Sequence, residues 1–170
     1  NSYSRLLVNS AFYHRFLTYQ FILIYQLDAY VFKDELAYWC KKNYDYIGAP
    51  WINDDWIHQF RKDVGIHFNL KRIKRVGNGG FSLRKTKSSY YTTLIFGWLW
   101  NFWKKNEDFY WSNIFPRLNP FLKIPKVAIA LKFGFDLDPE KCFELNKQKM
   151  PFGCHAWEKD KTGFYKNRIE

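Results

Sequence analysis

Side chains that could do chemistry fall at four places. Asp28 ends the apolar run Phe21 to Tyr25 after Gln26-Leu27, and Glu107-Asp108 directly precedes the aromatic run Phe109-Tyr110-Trp111. His155 lies in the compact stretch Met150 to Trp157, and the polar stretch Asn53 to Leu70 gathers Asp54, Asp55, His58, Asp63 and His67. Paired carboxylates suit proton transfer, and carboxylates with a histidine suit a divalent cation. The spacings within Asn53 to Leu70 match no metal motif, so that stretch reads as a solvated loop. A fifth piece is backbone. Gly77-Asn78-Gly79-Gly80 is neither a dinucleotide fingerprint nor a phosphate loop, so its glycines serve positive φ or close approach.

The elements that position these residues can be read from pattern. Phe21 to Tyr25 is apolar without alternation, which predicts a buried strand with Asp28 beyond its C-terminal end. Open α/β sheets bind ligands at such ends. Ser4 to Leu17 predicts a helix. Asp34 is the expected N-cap of a second, running to Lys42-Asn43. Tyr44 to Gly48 predicts a strand, Phe81 to Leu83 another, and Thr86 to Trp103 a long helix. Lys126 to Lys132 predicts two helical turns and Phe133 to Phe135 a short strand. Asp136 to Lys149 is polar and ambiguous, and the charged tail from Glu158 is expected to fray or lie on the surface.

The 170 residues suit one domain, and 22% aromatics allow it a large core. Lys and Arg exceed Asp and Glu by 27 to 16, a charge of +11 that favours polyanions: nucleic acid, an anionic membrane surface or phosphorylated small molecules. The three widely spaced cysteines (Cys40, Cys142, Cys154) form no disulfide framework and read as reduced thiols of a cytosolic protein. The longest apolar stretch, Tyr90 to Trp103, is too short to span a bilayer. The basic run Lys71 to Arg75 reads as a solvated face.

Taken in order, Gln26-Leu27-Asp28, Tyr44 to Trp51, Gly77 to Arg84, Asn106-Glu107-Asp108 and Pro151 to His155 resemble glycosyltransferases of the GT-A type. In particular the chain is similar to a bacterial and viral family of such enzymes long catalogued as a domain of unknown function. The resemblance runs from about Leu6 to Trp157. It implies an α/β, GT-A-like (Rossmann-like) mixed sheet flanked by helices. Residues 1–170 would be a single domain, the C-terminal two-thirds of a GT-A fold, lacking the N-terminal nucleotide-binding βαβ portion. The start at Asn1 rather than Met fits that expectation.

What the resemblance implies for activity is transfer of a sugar from a nucleotide-sugar to a hydroxyl of a glycan or lipid-linked saccharide. The transfer would be inverting and hexosyl in type, and would serve cell-surface polysaccharide. Asp28 and His155 would hold Mn²⁺ (or Mg²⁺), with Gln26 where these enzymes usually carry a first acid. Asp108 would be the general base, and Glu107 would bind sugar or acceptor hydroxyls. Gly79, Gly80, Phe81, Ser82 and Arg84 would line the donor and acceptor region. Trp51, Trp111 and Trp157 offer stacking faces, although any one tryptophan of eight is more often core. Expected partners are the donor, the acceptor and, peripherally, the inner face of a membrane, with no nucleic acid. Two rival readings remain. One is a non-catalytic glycan- or nucleic-acid-binding module; the other is a glycoside hydrolase pairing Asp28 with Asp108.

Overall fold

A computed structural model describes residues 2–52, 76–103 and 106–169. The acid- and histidine-bearing loop Asn53 to Leu70 and the basic run Lys71 to Arg75 lie outside the described residues. Within them the chain is a mixed α/β fold built on two small three-stranded sheets.

The first sheet contains β1 (Phe21–Tyr25), β3 (Tyr46–Gly48) and β4 (Phe81–Lys85), in the order β1-β4-β3. Both pairings are antiparallel, with Phe21 opposite Lys85 and Ile47 opposite Leu83. The expected strand at Phe21 to Tyr25 is therefore present, but at a sheet edge, antiparallel and only half-buried. Alternation along β4 sends Phe81 and Leu83 to one face and Ser82 and Arg84 to the other. Both faces are covered. Phe81 and Leu83 pack with Trp39, Ile47, Phe133 and Phe152, and the opposite face meets Tyr13, Tyr46, Trp111 and Phe115.

The second sheet is mixed. β2 (Tyr30–Val31) pairs antiparallel with β6 (Gly153–Cys154), which pairs parallel with β5 (Gly134–Phe135). These two-residue strands carry no period of their own. A third cluster (Leu131, Phe135, Cys142, Cys154, Phe164 and Tyr165) packs against them. Burial lifts the Cys142 and Cys154 thiols to about 12, so both stay protonated and inert near neutral pH.

The helices depart from the sequence expectation in places. The one expected over Ser4 to Leu17 is two, α1 (Ser2–Leu7) and α2 (Ser10–His14). Asn9 takes an extended backbone and its side chain accepts from the Ala11 N–H at 2.9 Å, which starts a new helix in place of continuing the old one. α3 (Leu36–Lys41) has Glu35, not Asp34, at its N-cap. The long helix forms as α4 (Thr86–Phe96), a tight turn at Gly97–Leu99 and α5 (Trp100–Trp103). α6 (Glu107–Phe109) opens into a wide π-type turn over Tyr110–Ile114 and closes again as α7 (Phe115–Leu118). Pro116 has no N–H to donate back into that turn, which accounts for its width. α8 (Val127–Phe133) leads directly into β5, and α9 (Pro139–Leu145) occupies the ambiguous stretch. The tail does not fray throughout: Phe164 and Tyr165 are buried ahead of α10 (Lys166–Ile169).

Candidate functional site

The site forms where the two sheets meet. At the C-terminal end of β1 the chain turns through Gln26-Leu27-Asp28 into β2. The Gln26 N–H donates to the Gly80 carbonyl at 2.9 Å and the Ala29 N–H to the Gln26 carbonyl at 3.0 Å. The turn holds Leu27 wholly in solvent and turns the flanking polar side chains inward. Directly across, β5 and β6 run parallel with Phe135 opposite Cys154. The next residue on each strand, Asp136 and His155, therefore falls side by side.

His155 is the centre. Its Nδ1 lies 3.0 Å from Asp136 Oδ1 and 3.0 Å from Asn78 Nδ2. Its Nε2 lies 2.8 Å from Gln26 Oε1 and 3.3 Å from Asp28 Oδ1. Asn78 is fixed independently, because its Oδ1 accepts from the Gly80 and Phe81 N–H groups at 3.0 and 3.1 Å. The amide nitrogen of Asn78 must then face the ring. A neutral ring with its proton on Nε2 donates to Gln26 Oε1 or Asp28 Oδ1 and accepts from Asn78 Nδ2 at Nδ1, whereas one with its proton on Nδ1 donates to Asp136. Asp28 Oδ2 accepts from Lys159 Nζ at 2.8 Å. Burial opposes the charge of Asp28, but that hydrogen bond, with His155 and Lys159 nearby, holds its carboxyl below the usual range.

The glycines serve close approach rather than unusual backbone, since Gly163 is the one glycine with positive φ among the described residues. A methyl on Gly80 would collide with the His155 ring and come within 2.7 Å of Gln26 Oε1. One on Gly79 would strike the Glu107 carboxylate.

A small cleft of about 90 Å³ opens beside this cluster, lined by Pro50, Trp51, Asn78, Asp108, Asp136 and Leu137 among others. Asp108 lines it, and its Oδ1 accepts from the Phe109 N–H at 2.7 Å. Burial and the neighbouring Glu107 raise its pKa well above the ordinary carboxylate value. Glu107 itself is buried. Its Oε2 accepts from Ser4 Oγ at 3.0 Å, and its Oε1 lies 3.8 Å from Arg84 Nη2.

Of the residues expected from sequence, Gln26, Asp28, Gly79, Gly80, Trp51, Asp108 and His155 gather at or beside this cleft. Others do not line it. Phe81 and Ser82 are fully buried, Phe81 in the core and Ser82 donating to the Gly79 carbonyl at 3.1 Å. Arg84 is 0% exposed, donates to Tyr13 Oη at 2.7 Å and Ser82 Oγ at 3.1 Å, and lies over the Tyr46 and Trp111 rings. It is out of reach of a phosphate because its strand face is sealed by aromatics. Glu107 is committed to the same interior network rather than to a sugar hydroxyl. Trp111 is buried and offers no stacking face, whereas Trp157 is half-exposed. Sequence reasoning missed Asn78, Asp136 and Lys159 as members of the site. The asparagine between glycines was the one available signal.

Whether a divalent cation suits the site can be tested on geometry. Bonds of about 2.1 Å to an octahedral ion place neighbouring ligands about 3 Å apart. The separations from His155 Nε2 to Gln26 Oε1 and to Asp28 Oδ1, 2.8 and 3.3 Å, bracket that figure. Nε2 meets two oxygens there, which its own proton or a cation in its place would satisfy. Asp28 and His155, with Gln26, fit the role. Among the described residues no group of three or more His, Cys, Asp or Glu side chains is arranged to hold a metal. The protein would thus supply a partial set, as hard cations shared with substrate phosphates require.

Residues 1–155 match the model of a family described as "Protein of unknown function (DUF5672)". No curated protein and no solved structure matches the chain.

Proposed function

The chain belongs to that family of unknown function, and from this premise we propose that it is a glycosyltransferase with a GT-A-like arrangement, moving a sugar from a nucleotide-sugar to a hydroxyl acceptor. The observation that carries the reading is convergence. Asn78, Asp108 and Asp136, far apart in sequence, line one cleft, and Asn78 and Asp136 also contact His155, which meets Gln26 and Asp28.

In the reaction the acceptor oxygen attacks the anomeric carbon as the bond from that carbon to the diphosphate breaks. The hydroxyl proton passes to the ionised Asp108 carboxylate, and the nucleoside diphosphate departs. Attack from the Asp108 side, opposite the leaving group, inverts the anomeric centre. Asp28 and His155 would hold a divalent cation, which would supply charge neutralisation for the diphosphate. Asp136 and Asn78 hold the His155 ring so that Nε2 faces Asp28. Trp51 lines the cleft wall but is only 7% exposed. The acceptor class is a glycan or a lipid-linked saccharide. Use of a nucleotide-sugar places the work on the cytoplasmic side.

Calorimetric titration of uridine and guanosine diphosphates, with and without Mn²⁺, into the full chain and its Asp28→Ala variant tests the reading. Expected is binding that requires Mn²⁺ and is lost in the variant. Absence of nucleotide binding by the folded chain in either condition would overturn it.

A further inference from the structure

The helix pair α4–α5 is built inside out. Thr86, Ser89, Thr92 and Thr93 are its buried residues in α4, whereas Tyr91, Leu94, Ile95, Trp98 and Phe102 are each more than half exposed. The exposed set recurs at helical spacing (91, 94, 95, 98, 102), so it forms one continuous stripe. Trp98 and Phe102 pack edge to face on that surface, with ring centroids 5.7 Å apart. A surface helix ordinarily turns its hydroxyls out and its aliphatic and aromatic side chains in. A contiguous apolar stripe facing solvent marks a docking surface.

Charge identifies what docks. Residues 85–105 carry four lysines (Lys85, Lys87, Lys104, Lys105) and no acid, in a chain of +11. A cavity of about 260 Å³ adjoins the stripe, lined by Arg5, Asn9, Ser10 and Asn101 next to Leu94 and Trp98. Tryptophan and tyrosine beside leucine and isoleucine, bracketed by lysines, are the composition of a helix lying in a membrane interface. Lys87 lies four residues ahead of Tyr91 on the same helix face, so a second copy of the chain docking there would bring like charges together, which disfavours that occupant.

We propose that the α4–α5 stripe lies in the interface of an anionic lipid bilayer, with the apolar residues in the acyl boundary and the Arg5 cavity facing a phosphate-bearing headgroup. The stripe is mechanically close to the candidate site. Gly97 lets α4 press against the Val8 carbonyl at the end of α1, and Ser4 of α1 is hydrogen-bonded to Glu107. The proposal does not depend on the transferase reading.

The test is co-sedimentation of the full chain with vesicles of phosphatidylcholine alone and of phosphatidylcholine with phosphatidylglycerol. Expected is partitioning to the anionic vesicles that weakens with salt and falls about tenfold or more in Ile95→Asp and in Trp98→Ser. Leu145→Ser, at an exposed leucine on α9, should partition as the parent does. All three positions are exposed, so unchanged circular dichroism and thermal midpoints should accompany the result. No partitioning to anionic vesicles would overturn the proposal, as would equal loss from Leu145→Ser. So would a lipid-free dimer that Ile95→Asp dissociates, which would assign the stripe to a second copy.

Discussion

Replacing Arg84 by Met should destabilise the fold by about 3 kcal/mol, with little of that loss due to packing. Methionine retains the stem that fills the aromatic slot, and it removes the charge. Burial opposes that charge, yet Tyr13, Tyr46 and Glu107 more than offset it and hold the guanidinium pKa above its ordinary value. At the observed 3.8 Å to Glu107, an effective dielectric of 20 gives an attraction of about 4 kcal/mol. Hydrogen bonds to Tyr13 and Ser82 add about 1 kcal/mol each. The regained hydration of one cation offsets part of the sum. What remains is a buried Glu107 carboxylate without its cation, a defect of about 3–5 kcal/mol. For a domain of this length that corresponds to a midpoint drop of about 6–12 °C. The assay is urea denaturation followed by tryptophan fluorescence for the parent, Arg84→Met, Glu107→Gln and the double variant. The double variant buries neither charge, so its loss should fall short of the sum of the single losses by about 1–2 kcal/mol. Single losses below about 1 kcal/mol, or losses that simply add, would refute an Arg84–Glu107 interaction as an anchor of this interior.

Asp108 predicts an unusual pH signature. A carboxyl with a raised folded pKa binds a proton in the native state that the unfolded chain has released, so it lowers stability as pH rises above the ordinary carboxylate range. Asp108→Asn should therefore melt higher than the parent at pH 7, with the gain vanishing near pH 4, while acceptor turnover is lost. Thermal midpoints measured across that range check the sign. Asp136→Ala should reduce Mn²⁺ affinity about 10- to 100-fold, by calorimetry, because the His155 ring loses the carboxylate that orients it. Gly80→Ala should cost about 1–3 kcal/mol and abolish Mn²⁺ binding, since the new methyl displaces the ring; urea denaturation and calorimetry read the two effects separately.

Local pattern carried part of this structure. β1, the Thr86 to Trp103 helix and the α8–β5 step follow from apolar runs and periodicity long enough to be read alone. The second sheet does not, because Tyr30–Val31, Gly134–Phe135 and Gly153–Cys154 are strands only by virtue of one another. The break at Asn9 hinges on one side-chain hydrogen bond that competes with helix continuation. Arg84 misled for a related reason. The resemblance implies that this cation lines the donor and acceptor region, but α2 and the Trp111 cluster cover that side. In the site, Asp28, Asp108 and His155 were reachable because each stands at a change of pattern. Asp136 stands in the polar run Asp136-Leu137-Asp138-Pro139 and gains meaning only when β5 and β6 align. Lys159 likewise looks like one charge among many until the turn at Ala156 brings it to Asp28.

The cleft and the His155 cluster beside it draw on segments from residue 26 to residue 155, on both sheets and on α6, with no local unit holding a majority of the groups. A molecule that spans them binds the folded chain and has nothing comparable to hold in the unfolded one. Its binding free energy is then added in full to global stability. At a hundredfold excess over the dissociation constant the gain is about 2.7 kcal/mol, a melting shift of about 5–10 °C at this chain length. The architecture thus makes the whole domain a reporter for its own ligand. Sugars, nucleotides and cations can be ranked by melting curves before any reaction product has been identified.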